Sequence, residues 1–458
     1  MKTNARLTFM FAAVTVLMLC LASTLHAQYL RPDIEPMPAD LGQTSVTIDG
    51  EMYGATGNET GPLGGGEGYQ RIITEGDYTV HTIDELVEAL AQAQPGEVVY
   101  LDPRGDYDCT TLVYAEDFVL EIPEGVTVAS NRGHYGSRGA VIYSDNFATR
   151  PLIRTLGPNV RLTGIWLRGP DPKRRLEHHN RSFNAERGDR GEQHDYYYKF
   201  PVSEGIDTTF SGLEVDNCEV SGWSHAGIHL SDGHGHHIHH CYIHHNQMNG
   251  LGYGVAHGYG DESVSLIERN VFDANRHSIA GTGKPGNAYE ARHNLELGVS
   301  LSHCFDMHGG GDRRDGTNIA GDWMKIHHNT FRAPIRAIAV RGVPEQQVEV
   351  HHNWFFQEEP GSRVIIPWPA GGDTRVSLHN NIYGPEDPVI WDADYGAYNN
   401  AFEAGLATYR AHQTAQARVH FIQALELART TAQRAEARLY IGHSVFTKAA
   451  FPVAKYHY

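Results

Sequence analysis

Between Val215 and Tyr383 a six-residue segment recurs seven times, and no other feature restricts the fold of this chain so strongly. VDNCEV from Val215, IHHCYI from Ile238, IERNVF from Ile267, ARHNLE from Ala291, IHHNTF from Ile326, VHHNWF from Val350 and LHNNIY from Leu378 align. The alignment puts Cys218, Cys241, Asn270, Asn294, Asn329, Asn353 and Asn381 in one column, spaced by 23, 29, 24, 35, 24 and 28 residues. Each interval fits one turn of a three-sided coil, the longer ones carrying loops. An apolar residue three before the column and, in most coils, another two after it gives strand alternation with one face inward. Asparagines stacked at the inter-strand distance of roughly 4.8 Å can hydrogen-bond along a ladder. The repeat therefore predicts an all-β parallel solenoid.

The flanking sequence agrees. Thr82 to Ala93 (TIDELVEALAQA) has a capped start and apolar residues at helical spacing, and Pro95-Gly96 stops it before the strand Val98–Leu101. Phe118 to Ser130 (FVLEIPEGVTVAS) alternates as two short strands around Pro-Glu-Gly. The helix with PGEVVYL, the LEIPEGVTVAS coil and the asparagine column together resemble the right-handed parallel β-helix superfamily of pectate lyases and other polysaccharide enzymes. The resemblance spans about residues 76–400 and implies an N-terminal helix closing the open end of the coil. That scaffold hosts lyases, hydrolases, epimerases, esterases and adhesins, so it leaves the substrate open.

Residues 1–27 read as a secretory signal: Lys2 and Arg6 precede an apolar run from Leu7 to Leu21, with cleavage expected near Ala27 and a secreted or periplasmic product. Leu19 before Cys20 argues against a lipid-attachment box. No later stretch is long enough to span a membrane. Residues 28–75 form a Gly- and Pro-rich extended lead-in. From 401 to 458 the pattern becomes helical: Gly405, Ala417, Phe421 and Ala424 resemble a tetratricopeptide repeat, and Gly442, Ala454 and Tyr458 begin another. That array implies a protein partner, and its apolar face left uncovered leads us to expect a truncated gene product. Four cysteines after cleavage do not make a disulfide scaffold. A formal charge of −18 argues against nucleic acid as partner, yet residues 269–341 carry ten Lys/Arg against seven Asp/Glu.

Histidine stands out at 29 residues. His239, His327, His351 and His379 share one column of the repeat, and His240, His293, His328 and His352 share the next. Residues recurring in register are read as stacked imidazoles of the scaffold. His234, His236, His237, His244 and His245 fall outside those columns, where a surface metal site is the alternative.

The informative residues break the repeat. On the third strand of each coil, Ile228, Leu251, Ile279, Phe305 and Ile338 align as inward residues, with Leu230, Tyr253, Gly281, Met307 and Val340 two further on. The outward columns then hold His229, Gly252, Ala280, Asp306 and Ala339, and Ser231, Gly254, Thr282, His308 and Arg341, with His277, His303 and Arg336 just before. These predict one face crowded with imidazole, carboxylate and guanidinium groups beside small residues. Arg276, Tyr289, Arg292 and Arg313 lie near the same coils.

Two chemistries fit. In the first, Arg336 or Arg341 pairs a uronate carboxylate, His277 or His303 takes the proton at C5, and a second histidine, Tyr289 or Arg276 serves the leaving oxygen. Elimination makes a polysaccharide lyase; reprotonation from the other face makes an epimerase, whose Arg-His and aromatic-Asp-x-His elements are similar to Arg276-His277 and Phe305–His308 in reversed order. Asp306, His308, Arg341, Arg292, Arg313 and His229 are read as substrate-binding. In the second, Asp306 works with Asp312 or Asp315 in glycoside hydrolysis. The loop 171–189 and Tyr196–Tyr198 are read as a cleft wall. The superfamily resemblance implies a divalent cation such as calcium and no organic cofactor. A binding protein presenting a carbohydrate surface is the alternative outside enzymology.

Overall fold

The computed structural model describes residues 36–171, 201–248, 250–367, 375–390, 393–428 and 431–445. The signal segment with Ala27, residues 172–189 and Tyr196–Tyr198 of the cleft-wall reading, and the chain beyond 445 lie outside these. No described helix is long and apolar enough to cross a membrane.

Each coil gives one strand to each of three parallel sheets. In one coil these are Glu214–Asp216, Glu219–Ser221 and Ala226–Leu230; the next strand, Gly233–His239, returns onto the first with Val215 beside Ile238. Sheet 1 continues from Ile238 through Ile267, Ala291, Ile326, Val350 and Leu378. Sheet 2 stacks Val220, Ile243, Phe272, Glu296, Phe331, Phe355 and Tyr383. Sheet 3 stacks Ile206, Ile228, Val255, Ile279, Phe305, Ile338 and Ile365. The apolar members of these columns form one continuous buried core with Leu86 and Leu90 of helix α1 (Ile83–Gln92). Each such side chain contributes about 1.5–3 kcal/mol by leaving water. Helix α1 is held at its start by Thr82 Oγ1, which accepts from Glu85 N, while Glu85 accepts from His81 N at 2.7 Å.

Between sheets 1 and 2 the chain turns on one left-handed residue per coil: Asn217, His240, Arg269, His293, His328, His352 and Asn380, with φ between 48° and 54°. The ladder residue follows each. Asn270, Asn294, Asn329 and Asn353 each donate backbone N–H and Nδ2 to the Oδ1 of the next asparagine, at 2.9–3.1 Å. At the start of the column a cysteine substitutes, and Cys218 N reaches Cys241 Sγ at 3.4 Å. The recurring imidazoles of the later coils stack, His327, His351 and His379 at 4.9 and 5.2 Å and His328 on His352 at 5.0 Å, with His293 tilted against His328 at 5.0 Å, whereas Glu268 and Arg269 of the next coil separate His239 and His240 from them.

The lead-in is not loose beyond residue 42. It runs along this histidine corner against the direction of the coils. Tyr53 stacks on His352, Ala55 N donates to Thr330 Oγ1, and Asn58 meets His240. Gly64 N then reaches Arg269 O, Gly66 N reaches Asn217 Oδ1, and Tyr69 OH donates to Asp216. Gly65 sits at φ +67° with a Cβ position only 2.3 Å from His240 O, so nothing larger fits.

At the far end, α2 (Ala393–Arg410), α3 (Thr414–Leu427) and α4 (Thr431–Val445) bury Tyr398, Phe402, Phe421 and Ile441 together. The helical segment thus opens eight residues before Ala401. A Cβ on Gly405 would lie 2.5 Å from the Phe421 ring, so α2 and α3 approach closely there. The tetratricopeptide reading itself rests on the sequence pattern.

Candidate functional site

Sheet 3 places the off-pattern residues, with one correction. The sheet 3 strand of the coil that begins at Ile238 is Tyr253–His257, not one centred on Leu251: Val255 pairs with Ile228 and Ile279, and Tyr253 pairs with His277. The turn from His245 to Gly252 inserts four residues that an alignment by spacing slides past. The outward column is therefore Asp207, His229, Ala256, Ala280, Asp306 and Ala339. Two alanines and Tyr253 form an apolar floor with Ala226 between a histidine–carboxylate group at each end.

At one end stands Asp306, fully buried though it faces outward. Arg341 grips it with both Nε to Oδ1 at 3.1 Å and Nη2 to Oδ2 at 2.6 Å, and reaches Asp312 at 2.8 Å. His277 Nε2 and His308 Nε2 approach the same Oδ2 at 3.3 and 3.2 Å. Burial alone would raise the Asp306 pKa; the Arg341 guanidinium, hydrogen-bonded to both carboxylate oxygens, opposes it, and the carboxyl is held well below the usual range. His277 has no exposed surface. Its Nδ1 donates to His303 O at 2.5 Å, its ring lies between Tyr253 and His303 at 5.8 and 4.8 Å, and burial pushes its pKa well down.

His303 is the imidazole that solvent reaches here beside His308. Burial lowers it to about 4, and the positive charges of Arg341, Arg276 and Arg336 act in the same sense against Asp306. Arg276 and Arg336 donate to main-chain carbonyls, Leu251 O at 3.2 Å and Ser362 O at 2.8 Å, and neither has a carboxylate partner among the described residues.

At the other end of the floor Glu204 accepts from His225 at 2.6 Å and faces His229 at 3.0 Å. Burial alone would raise Glu204; the two imidazoles outweigh it and hold it well below its ordinary value. Burial would also lower His229, but Glu204 and Asp207 outweigh it and raise the ring. Tyr253 touches both ends, 6.0 Å from His225 and 6.4 Å from His308.

The structure thus brings together His277, His303, Asp306, His308, Arg341, Arg276 and Arg336, with His229 on the same face. It does not bring in three others. Tyr289 points into the coil, buried and stacked on His257 at 5.5 Å, so it cannot meet a substrate. Arg292 belongs to sheet 1, paired with Glu268 and Glu290 at 2.9 and 3.0 Å. Arg313 is occupied by Asp315 and Ile319 O of its own loop and by Thr282 O of the preceding coil. In the Asp306–Asp312 or Asp315 hydrolytic pair, Asp306 and Asp312 share Arg341, and Asp315 is held by Arg313 and Thr317. Sequence reading missed Glu204, His225 and the outward Ala256; the shared pattern Val255-Ala256-His257, Ile279-Ala280-Gly281 and Ile338-Ala339-Val340 was the signal for the last.

Residues 204–381 match the family model described as right handed beta helix region. With the three parallel sheets, this makes residues 204–381 a right-handed parallel β-helix. Among solved structures it is similar to the alginate lyase from Paenibacillus sp. str. FPU-7, at 13% identity and a TM-score of 0.42, over 67% of this chain and 95% of that one. So loose a superposition decides neither activity nor substrate. No curated protein matches.

Proposed function

We propose that this protein is an exported polysaccharide lyase acting on a uronate-containing chain, with its site on the outer face of sheet 3. The observation that carries the reading is the accessible His303 imidazole, set among Arg276, Arg336 and Arg341 beside a floor of Ala256 and Ala280. Arg276 and Arg336 have charge to spare for a substrate carboxylate. Neutralising that carboxylate lowers the cost of removing the C5 proton, because the developing carbanion is an enolate of the acid.

His303 takes the C5 proton, the electron pair forms the C4–C5 double bond, and the C4–O4 bond breaks. The leaving oxygen then receives a proton from His303 or from water, so the atoms balance without a second acid. His277 acts at one remove: it is sealed from substrate and fixes the plane of the His303 ring by stacking on it. Asp306, locked by Arg341, orders the arginine and the histidines rather than reacting.

The test is a product screen with the purified chain over pectic, alginate-like and sulfated uronate polysaccharides, reading unsaturated ends in the ultraviolet. His303→Gln should lose about 100-fold or more in kcat, and Arg336→Ala should raise KM more than it lowers kcat. Absence of unsaturated product from every substrate, or full activity in His303→Gln, would overturn the proposal.

A further inference from the structure

Among the described residues three groups of two histidines and one carboxylate converge on the outside of the coil, and they differ in one respect. Glu204 with His225 and His229 makes ordinary hydrogen bonds of 2.6 and 3.0 Å. Glu214 with His239 does so at 3.1 Å, while His237 turns to Glu268 at 3.0 Å and Arg71 and Arg161 hold Glu214. In those two groups no buried ring nitrogen or carboxylate oxygen is left without a hydrogen-bond partner.

At His277, Asp306 and His308 two are, both of them ring nitrogens. His303 O can only accept, so His277 Nδ1 carries the ring's proton and the neutral ring presents its Nε2 lone pair. That lone pair faces an ionised carboxylate oxygen 3.3 Å away, in a position with no exposure to water. His277 Nε2 has no hydrogen-bond partner, and His308 Nε2 also has none, although Asp306 Oδ2 lies 3.2 Å from it. Two imidazole nitrogens and an anionic oxygen thus point at one spot, all within 4.8 Å of one another. A tetrahedral ion with bonds of about 2.0 Å sets its ligand atoms about 3.3 Å apart, which is the spacing found on two of the three edges.

We infer that His277 Nε2, His308 Nε2 and Asp306 Oδ2 form a binding site for a first-row divalent transition metal of the zinc type. Two nitrogen donors exclude calcium as the preferred ion, since that cation takes oxygen ligands. The outer shell is in place: His303 O fixes the tautomer of His277, and Arg341 orients Asp306 through its other lone pairs while Asp312 offsets the guanidinium charge. His308 is the partly exposed member of the three, edge-on to Tyr253 at the rim of the alanine floor. The site stands without the lyase reading; under that reading the ion adds its charge to those of the arginines.

The experiment uses the full chain stripped with chelator, titrated without substrate by Zn²⁺ in a calorimeter and by Co²⁺ in a spectrophotometer, with bound metal counted by mass spectrometry. One equivalent should bind, the cobalt form should show the visible bands of low coordination number, and excess Ca²⁺ should not displace the metal. His308→Gln, at the accessible rim, should weaken binding about 100-fold or more and keep the parent circular dichroism. His239→Gln should leave binding unchanged. Absence of stoichiometric binding, equal competition by Ca²⁺, or undiminished binding in His308→Gln would overturn the inference. Loss of binding only in His239→Gln would move the site to the Glu214 group and overturn it too.

Discussion

Replacing Asn329 by alanine removes the centre rung of the ladder. The Asn329 amide donates to Ala291 O at 2.8 Å and to Asn353 Oδ1 at 3.0 Å, and its Oδ1 accepts from Asn294 N at 2.9 Å and Asn294 Nδ2 at 3.0 Å. After the change, Asn353 Oδ1 keeps the backbone N–H of residue 329, and Asn294 Nδ2 keeps Ile267 O at 2.8 Å. Asn294 N–H loses its acceptor in a dry interior, and Ala291 O and the partly buried His327 O lose their side-chain donor. At about 1–3 kcal/mol for each orphaned group, plus the small void, the expected loss is about 3–5 kcal/mol. Urea denaturation followed by circular dichroism should read this as a lower midpoint with the slope unchanged. Lys325→Ala, exposed on the neighbouring strand, serves as the control. A loss under about 1 kcal/mol, or one equal to the control's, would mean the ladder marks the register without stabilising the coil.

Acid should weaken the histidine corner. His327 and His328, and His351 and His352, each share one proton between Nδ1 atoms 2.8 Å apart, so protonating both rings of a pair sets two N–H groups against each other. Burial first, then neighbouring charges, lowers His293 to about 3 and His328 and His351 to about 4. Their folded pKa values lie below the unfolded value near 6.5. The unfolded chain therefore binds protons first, and stability falls as pH drops from about 6.5 to 4, by at most about 1.4 kcal/mol per pH unit per histidine and less where water screens. Midpoints measured at pH 7.5 and 5 should show the loss, and His328→Gln should reduce it; equal slopes in both proteins would refute the assignment. Glu296 gives the opposite sign. It lies in the sheet 2 core column between Phe272 and Phe331, and burial raises it to about 8 against an ordinary 4.5. Stability is therefore lost as pH rises from 4.5 toward 8, and Glu296→Gln should gain roughly 1–3 kcal/mol at pH 7.5 but nothing at pH 4; a variant no more stable at pH 7.5 would refute it.

The coil was legible because its physics repeats. A ladder needs the same side chain at the same point of every turn, and an inward strand face needs the same apolar parity, so seven noisy copies reinforce one another. Tyr289 was legible by the same rule and was misread: Ala291, three before the ladder, faces inward, so Tyr289 two before it must as well. The lead-in was not legible. Its partners are scattered backbone carbonyls such as Arg269 O and His352 O and single side chains such as Thr330 and Asn217, which form no repeating pattern to recognise, and Gly54 and Gly65 carry the imprint of the close approach.

The site was legible in content but not in accessibility. Alternation assigns Asp306 and His277 to the outer face, and from there a sequence infers contact with substrate. Yet an outward position on a coil is exposed only if its neighbours are small. Asp306 has Ala280 and Ala339 beside it along the sheet, and the space those alanines leave is filled by His277, His308 and Arg341, each larger than the strand geometry reveals. Burial then reverses the roles. A carboxylate with no exposed surface becomes the anchor, a histidine beneath another becomes its support, and His303, the most ordinary member of the set by pattern, is left at the surface with three guanidinium groups around it. Variants at His277 should therefore fail through lost order at His303 and at the metal-ligand triad, whereas variants at His303 should fail in the proton step alone. Zinc titration of His303→Gln separates the two, because that protein should still bind one equivalent while its turnover is gone.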